Sequence, residues 1–311
     1  MINFRTDLAD ERHSMYRKAN KLDEEIDGIS VQSDRINKDV CINRVTIENE
    51  RGEEAINKPI GKYITIDMKN LNIVQDDEMD ELAGYFSNEL QALINEKIND
   101  KDEILVVGLG NIYVTPDALG PKVIEQIEVT RHIIKYLPQY IDENSRAVCA
   151  ISPGVLGTTG IETVEIIKGI VDNIKPKLLV VIDALASKSI ERINKTIQIA
   201  NTGIVPGAGV GNTRKEISEK TLGIPVISVG VPTVVESAVM VNECLDIFIE
   251  KLQNEAKSND YLNQMKEKDN YEEIKEALIP KDYNLIVTPK EIDELVEKMA
   301  KVVSMGINMA M

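Results

Sequence analysis

Apolar and polar positions change their period along this chain. From Ile29 to Asp67, short alternating runs (Ile29-Ser30-Val31, Asn43-Arg44-Val45-Thr46-Ile47, Tyr63-Ile64-Thr65-Ile66) are broken at Glu50-Arg51-Gly52-Glu53 and Pro59-Ile60-Gly61. A period of two with such breaks predicts antiparallel β-ribbons at the edge of a main body, an insertion over about 28–70. From Asp76 to about Asn99 the spacing turns helical, with Met79, Leu82, Phe86, Leu90, Leu93 and Ile94 on one side. Five apolar runs follow at 104–108, 147–151, 178–182, 196–200 and 225–229, with helical stretches in three of the four gaps. Strands apolar on both sides and separated by helices predict a mostly parallel central sheet: an α/β fold, three-layer α/β/α and phosphorylase- or hydrolase-like, with the antiparallel β region N-terminal to it.

Two helix starts carry a capping-box pattern, Thr159 to Glu162 and Thr233 to Glu236, and Pro121 and Pro232 mark helix beginnings. Residues 253–282 are dense in charge and predict an exposed helical insertion, followed by a strand over 284–287 and an amphipathic helix over 289–303. Residues 1 to about 27 are polar with weak helical spacing and predict a loosely packed segment, the natural place for regulation.

Composition narrows the picture. Of the 311 residues 43% are hydrophobic but only 4% aromatic, with no Trp, so Ile, Val and Leu must fill the core. Length alone allows two domains or one α/β unit with insertions. With 36 basic and 52 acidic residues, net −16, the surface opposes phosphate backbones and anionic lipid, so neither nucleic acid nor membrane is an expected partner. Met1 to Asp7 has no apolar export core and no apolar run reaches the ~18 residues of a membrane span, which predicts a cytoplasmic protein. Cys41, Cys149 and Cys244 are few and scattered and read as buried thiols of a reducing compartment.

His13 and His132 are the only histidines, so chemistry must lean on carboxylates. Asp117 sits in Thr115-Pro116-Asp117-Ala118-Leu119-Gly120-Pro121 after the first core strand, and Asp183 ends the run Leu178 to Ile182. Carboxylates where parallel strands stop lie on the rim that binds ligands, so this pair marks a candidate acidic active site. Asp117 also suits a helix N-cap; Asp183, carried to the sheet edge among apolar neighbours, is costly without a use. Glu162 is explained by its capping box or by catalysis, and Lys188, Arg192 and Arg214 by a solvated face or by orienting a substrate. Gly207 and Gly209, in Gly207-Ala208-Gly209-Val210-Gly211-Asn212, suit a loop that lets backbone approach a substrate or supplies N–H groups to an oxyanion. Gly108-Leu109-Gly110 follows a strand, but Tyr113 occupies the place of the third glycine in a dinucleotide fingerprint.

Taken together, Arg5-Thr6-Asp7-Leu8-Ala9, Val107 to Asn111, Thr115 to Pro121, Pro153-Gly154-Val155-Leu156-Gly157, Gly160-Ile161-Glu162-Thr163, Ile182 to Ser187, Thr202 through Asn212, Thr221 to Val226 and Gly230-Val231-Pro232-Thr233-Val234-Val235 closely resemble the germination proteases of spore-forming Firmicutes. The resemblance spans the whole chain. It implies an endopeptidase, made as a zymogen, that degrades small acid-soluble spore proteins on germination. It also implies an atypical aspartic-type mechanism in which Asp117 and Asp183 match the catalytic pair and no metal or other cofactor is needed. Arg5 to Ala9 matches the processing site, which implies cleavage between Asp7 and Leu8, a propeptide of 1–7 and one peptidase domain over 8–311. A homotetramer in the forespore and spore core is implied too. The family is similar in fold to the hydrogenase maturation proteases, whose metal is held by two carboxylates and a His, with Asp117 and Asp183 as counterparts of the carboxylates. A metal-dependent maturation protease and a non-catalytic nucleotide-binding α/β module are therefore the competing expectations.

Overall fold

The computed structural model describes residues 4–68, 76–142, 145–207, 214–255, 274, 276 and 285–311. A run such as Leu178-Leu179-Val180-Val181-Ile182 has no polar side to offer water, and both its faces are covered: each of these residues is buried. The strands are β1 (Ile29–Arg35), β2 (Val40–Ile47), β3 (Gly61–Met68), β4 (Ile104–Gly108), β5 (Val148–Ile151), β6 (Leu178–Ala186), β7 (Thr196–Ala200), β8 (Val226–Glu236) and β9 (Ile286–Val287). They lie in the order β1-β2-β3-β7-β8-β6-β4-β5, with β9 against the end of β8. β8, β6, β4 and β5 are parallel, whereas β7 and the β1–β3 meander are antiparallel. The ribbon expected at the edge thus joins the main sheet through β3 and β7.

The helices are α1 (Ala9–Ala19), α2 (Glu50–Ile56), α3 (Asp76–Asn95), α4 (Leu119–Ile124), α5 (Arg131–Tyr136), α6 (Leu156–Thr159), α7 (Thr163–Ile174), α8 (Glu219–Leu222), α9 (Ser237–Glu255) and α10 (Ile292–Ala310). One face of the sheet, including Val106, Val180, Ile182, Ile197, Ile199 and Val229, packs on α3, α4 and α10. The opposite face is shared. α7 covers Leu105, Val107, Leu179 and Val181, while Ala9 of α1 and Ala55 and Ile56 of α2 pack with Val45, Tyr63 and Ala200. From β4 the chain goes outward to β5 and returns on the other side to β6, which makes the β4/β6 boundary the switch point where α/β folds bind ligands.

Several expectations are corrected. β8 runs through Thr233 to Glu236, where a capping box was expected, and α9 begins only at Ser237. The β-branched run pairs with the extended end of β6 through a bulge, and sheet pairing outweighs the local capping signal. Thr159 does not open a helix either. It closes α6, Gly160 turns left-handed at φ +71°, and α7 starts at Thr163 with no side-chain cap from Glu162. The cysteines are less buried than expected. Cys41 and Cys149 are half-buried and Cys244 is exposed on α9; all three are free thiols. The expected 253–282 insertion lies outside the described residues except for the end of α9 and residues 274 and 276. Among the described residues no helix is long and apolar enough to cross a membrane.

Candidate active site

Asp183 lies inside β6, not at its end as the apolar run suggested. β4 stops at Gly108, paired with Ile182, and Leu109 N–H donates to Ile182 C=O at 2.8 Å. β6 continues to Ala186 with β8 on its other side. Asp183 is therefore framed by strands yet faces the region where one neighbour has ended. It is only 5% exposed, and its Oδ1 accepts the Ala184 N–H at 3.0 Å. Burial first, then the charges of Asp117 and Asp7, push its carboxyl pKa well above the ordinary range.

Asp117 reaches the same place by backbone contact. A Cβ on Gly108 would meet the Gly120 carbonyl oxygen at 2.2 Å, and one on Gly120 would meet the Leu109 oxygen at 2.2 Å. The strand end and the start of α4 thus touch main chain to main chain, and the turn Thr115–Asp117 is drawn over the strand ends. Asp117 is not a helix cap: its Oδ2 accepts the Asn111 N–H at 2.8 Å, and α4 has no side-chain cap. Burial raises its pKa, against the lowering effect of that N–H. Gly108→Ala should lower stability by about 1–3 kcal/mol through overpacking and slow any reaction that uses Asp117, read by urea unfolding beside an activity assay. Unchanged values in both would refute the backbone contact as the device that places Asp117.

Both carboxylates line a cavity of about 480 Å³ together with Asp7, Glu162, Gly207 and Arg214. Residues 4–13 do not form the loosely packed segment expected. Thr6, Leu8 and Ala9 are fully buried, and Asp7, Glu11, Arg12 and His13 nearly so. Their polar groups find partners on the body, which composition could not reveal. Backbone groups two residues apart in a strand face the same edge, so Ala186 turns its N–H and C=O to the edge used by Ile182. Beyond Gly108, Asp7 takes the vacated place: its N–H donates to Ala186 C=O at 2.9 Å, and its Oδ2 accepts Ala186 N–H at 2.9 Å. Leu8, 0% exposed, anchors the segment with a burial worth about 1.5–3 kcal/mol.

The other candidates divide. Glu162 and Gly207 line the cavity, whereas Gly209 lies outside the described residues. Arg192 is not among the cavity's lining residues. It grips the start of α1 through Asp10 (2.8 and 2.5 Å) and reaches Asp67 at 2.7 Å. His132 is exposed on α5, and His13 contacts Glu25 at 2.9 Å, so neither histidine lines the cavity. Among the described residues no three His, Cys, Asp or Glu side chains converge as a metal site. The N–H groups of Leu109 and Asn111 are already committed to Ile182 and Asp117, so the Gly108-Leu109-Gly110 loop does not hold them free for a phosphate. Residues not singled out from sequence are Asn111, Ala186 and Gln198. Only Gln198, polar between Ile197 and Ile199 in an apolar strand, carried a signal.

An α/β sheet with a buried and a half-buried aspartate at the carboxyl ends of its parallel strands, and a length of polypeptide hydrogen-bonded beside them, is the arrangement of an α/β peptidase. Comparison with known proteins agrees. The family model described as germination protease matches residues 6–265 and 260–311. The chain is 48% identical to the germination protease of Clostridium acetobutylicum, covering 100% of this chain and 96% of that one. It is 47% identical to that of Clostridium tetani with the same coverage, and 39% identical to that of Bacillus cytotoxicus over 99% of this chain and 93% of the relative. Among solved structures, a nickel–iron hydrogenase maturation protease from Thermococcus kodakarensis is similar at 15% identity and TM-score 0.30, covering 68% of this chain and 96% of that one. The chain belongs to the germination protease family.

Proposed function

We propose that this protein is a self-processing endopeptidase that degrades small acid-soluble spore proteins during germination, with Asp117 and Asp183 activating water. The observation that carries the reading is the position of Asp7. The residue before the expected cleavage point borders the same cavity as both aspartates and is close enough for its charge to raise the pKa of Asp183. Asp7 thus lies in the cleft as part of a built-in substrate, and a homotetramer in the spore core belongs to the same reading.

Two neighbouring carboxylates hold one proton between them. Asp183, the more buried, retains it; Asp117, whose charge the Asn111 N–H favours, is the base. Asp117 takes a proton from water as the water oxygen bonds to the Asp7 carbonyl carbon. Asp183 gives its proton to the Leu8 nitrogen as the C–N bond breaks, leaving a new carboxyl on Asp7 and a free amine on Leu8. Proton exchange with solvent then resets the pair. The Ala186 N–H, which holds the Asp7 carboxylate, accounts for an acidic residue before the cleaved bond. A metal site made of two carboxylates and a His is not favoured, because neither histidine lines the cavity.

Mass spectrometry of the full chain before and after mild acidification tests the reading. The expected product begins at Leu8 and has lost Met1–Asp7. The rate should trace a bell against pH, rising as pH falls and Asp183 becomes protonated, then declining as Asp117 is protonated too; the two limbs belong to the pair. An intact N-terminus at every pH would overturn the reading.

A further inference from the structure

Between Asp183 and Gln198 the sheet carries a glycine, over which the Leu185 side chain lies. The register pairs Asp183 with Gly230 on β8, and Gly230 with Gln198 on β7. The three residues form one row across the sheet, on the face of Val181 and opposite to Ile197 and Ile199. Gly230 puts no side chain in the middle of that row, and a Cβ there would meet Leu185 at 2.3 Å. The N-terminal segment is bonded to β6 at Asp7 and to Gln198 of β7 on the other side of this row.

Gln198 holds this segment on both sides of one residue. Its Nε2 donates to the Asp7 carbonyl oxygen at 3.2 Å, and its Oε1 accepts the Ala9 N–H at 2.7 Å. The side chain is 7% exposed, and a buried amide is retained at a cost unless its donor and acceptor are used. Here both are used on the segment that carries the Asp7–Leu8 bond.

We propose that Gln198 is a further catalytic residue: its amide N–H polarises the carbonyl of the cleaved bond, while its amide oxygen fixes the register of the chain through the N–H two residues on. The inference rests on the peptidase reading above. When water bonds to the Asp7 carbonyl carbon, the oxygen gains negative charge 3.2 Å from a donor already in place, the condition for stabilising an oxyanion without rearrangement. A substrate makes the same two contacts once the new N-terminus, Leu8–Ala9, has withdrawn from Gln198, so an acidic-apolar-small sequence is cut after its acidic residue and not one position away.

Single-turnover processing of the full chain, followed by mass spectrometry across a range of pH, tests this with Gln198→Met and Gln198→Glu beside the native protein, with thermal unfolding recorded for each. Gln198→Met should slow processing by roughly 10²-fold, the usual effect of removing one such donor, and lower the unfolding midpoint because the Ala9 N–H and Asp7 carbonyl lose their partner. Gln198→Glu separates catalysis from anchoring, and decides alone if the Met variant does not fold. A carboxyl accepts the Ala9 N–H at every pH but donates to the Asp7 carbonyl only when protonated. Its rate relative to native should therefore fall as pH rises. Asp7, Arg12, Glu53, Lys58, Tyr63 and Glu216 share its cavity and Asp183 its row; they act on both proteins, so the ratio isolates residue 198. A flat ratio, or native-rate processing by Gln198→Met, overturns the proposal and leaves the peptidase reading standing. A native chain that never releases Met1–Asp7 overturns both.

Discussion

The Asp183→Asn protein should fold, gain stability over the native chain as pH rises, and keep its first seven residues. Asparagine has the shape of a protonated aspartic acid but neither gives up nor receives the reacting proton, so processing and substrate cleavage should fall by at least ~10³-fold. The stability effect follows from linkage. Burial and the charges of Asp117 and Asp7 raise the Asp183 pKa in the folded state, so the folded chain holds this proton more tightly than the unfolded chain. Its contribution is fully present below the unfolded carboxyl pKa and is lost as pH rises through the folded one. Asparagine has no such loss, so the advantage of the variant should grow across that window and be absent in acid. Asp117→Asn should be equally inactive, and by removing a negative neighbour it should lower the pKa of Asp183 and move that window down. Urea unfolding at several pH values and mass spectrometry of the N-terminus measure both effects. Normal processing by either variant would sink the dyad, and an inactive Asp183→Asn without the pH-dependent stability gain would contradict its burial.

Arg192→Ala should lower stability more than Gly108→Ala, Gln198→Met or either aspartate substitution. Arg192 stands between Asp10, Glu11 and Asp67, with its side chain 20% exposed and theirs 12%, 9% and 9%. Burial alone lowers its pKa, but hydrogen bonds to Asp10 and the charges of the three carboxylates reverse this and hold it raised. Glu11 and Asp67 are in turn pushed up by burial and pulled down by Arg192. Removing the guanidinium leaves two buried carboxylates, Glu11 and Asp67, and the half-buried Asp10 without their counter-charge, which costs about 3–5 kcal/mol. Because Asp10 and Glu11 open α1 just after the Asp7–Leu8 bond, the segment should also loosen, so processing slows and residues 4–19 become sensitive to added protease. Arg192→Lys keeps the charge but not the two-pronged contact with Asp10 and should fall between. An unfolding free energy within ~1 kcal/mol of native for Arg192→Ala, the range of ordinary surface changes, would show the cluster to be solvated instead.

Much of the architecture was legible in one dimension because hydrophobic period is local. The runs at 104–108 and 196–200 are β4 and β7 to the residue, α3 lies where its spacing put it, and the alternation of strands and helices specified the layered sheet. Asp117 and Asp183 stood out for a related reason: a carboxylate beside a fully apolar strand is anomalous in any α/β sequence. The matching blocks from Arg5 to Val235 carried the family. What was illegible depended on partners far along the chain. The capping boxes at Thr159 and Thr233 were sound local chemistry, set aside by a left-handed Gly160 and by the pairing of β8 with β6. Arg192 looked like a surface cation until Asp10, Glu11 and Asp67 met it, and residues 4–13 looked solvated because their partners, Ala186, Lys188 and Gln198, lie more than 170 residues away. By itself, then, the sequence determined the central strands, the layers and the two aspartates, since periodicity and anomaly are properties of neighbouring residues. Only the tertiary structure decided that Asp7–Leu8 lies beside those aspartates with Gln198 on its carbonyl, because long-range contacts are chosen by packing and strand order, and no local spacing encodes them.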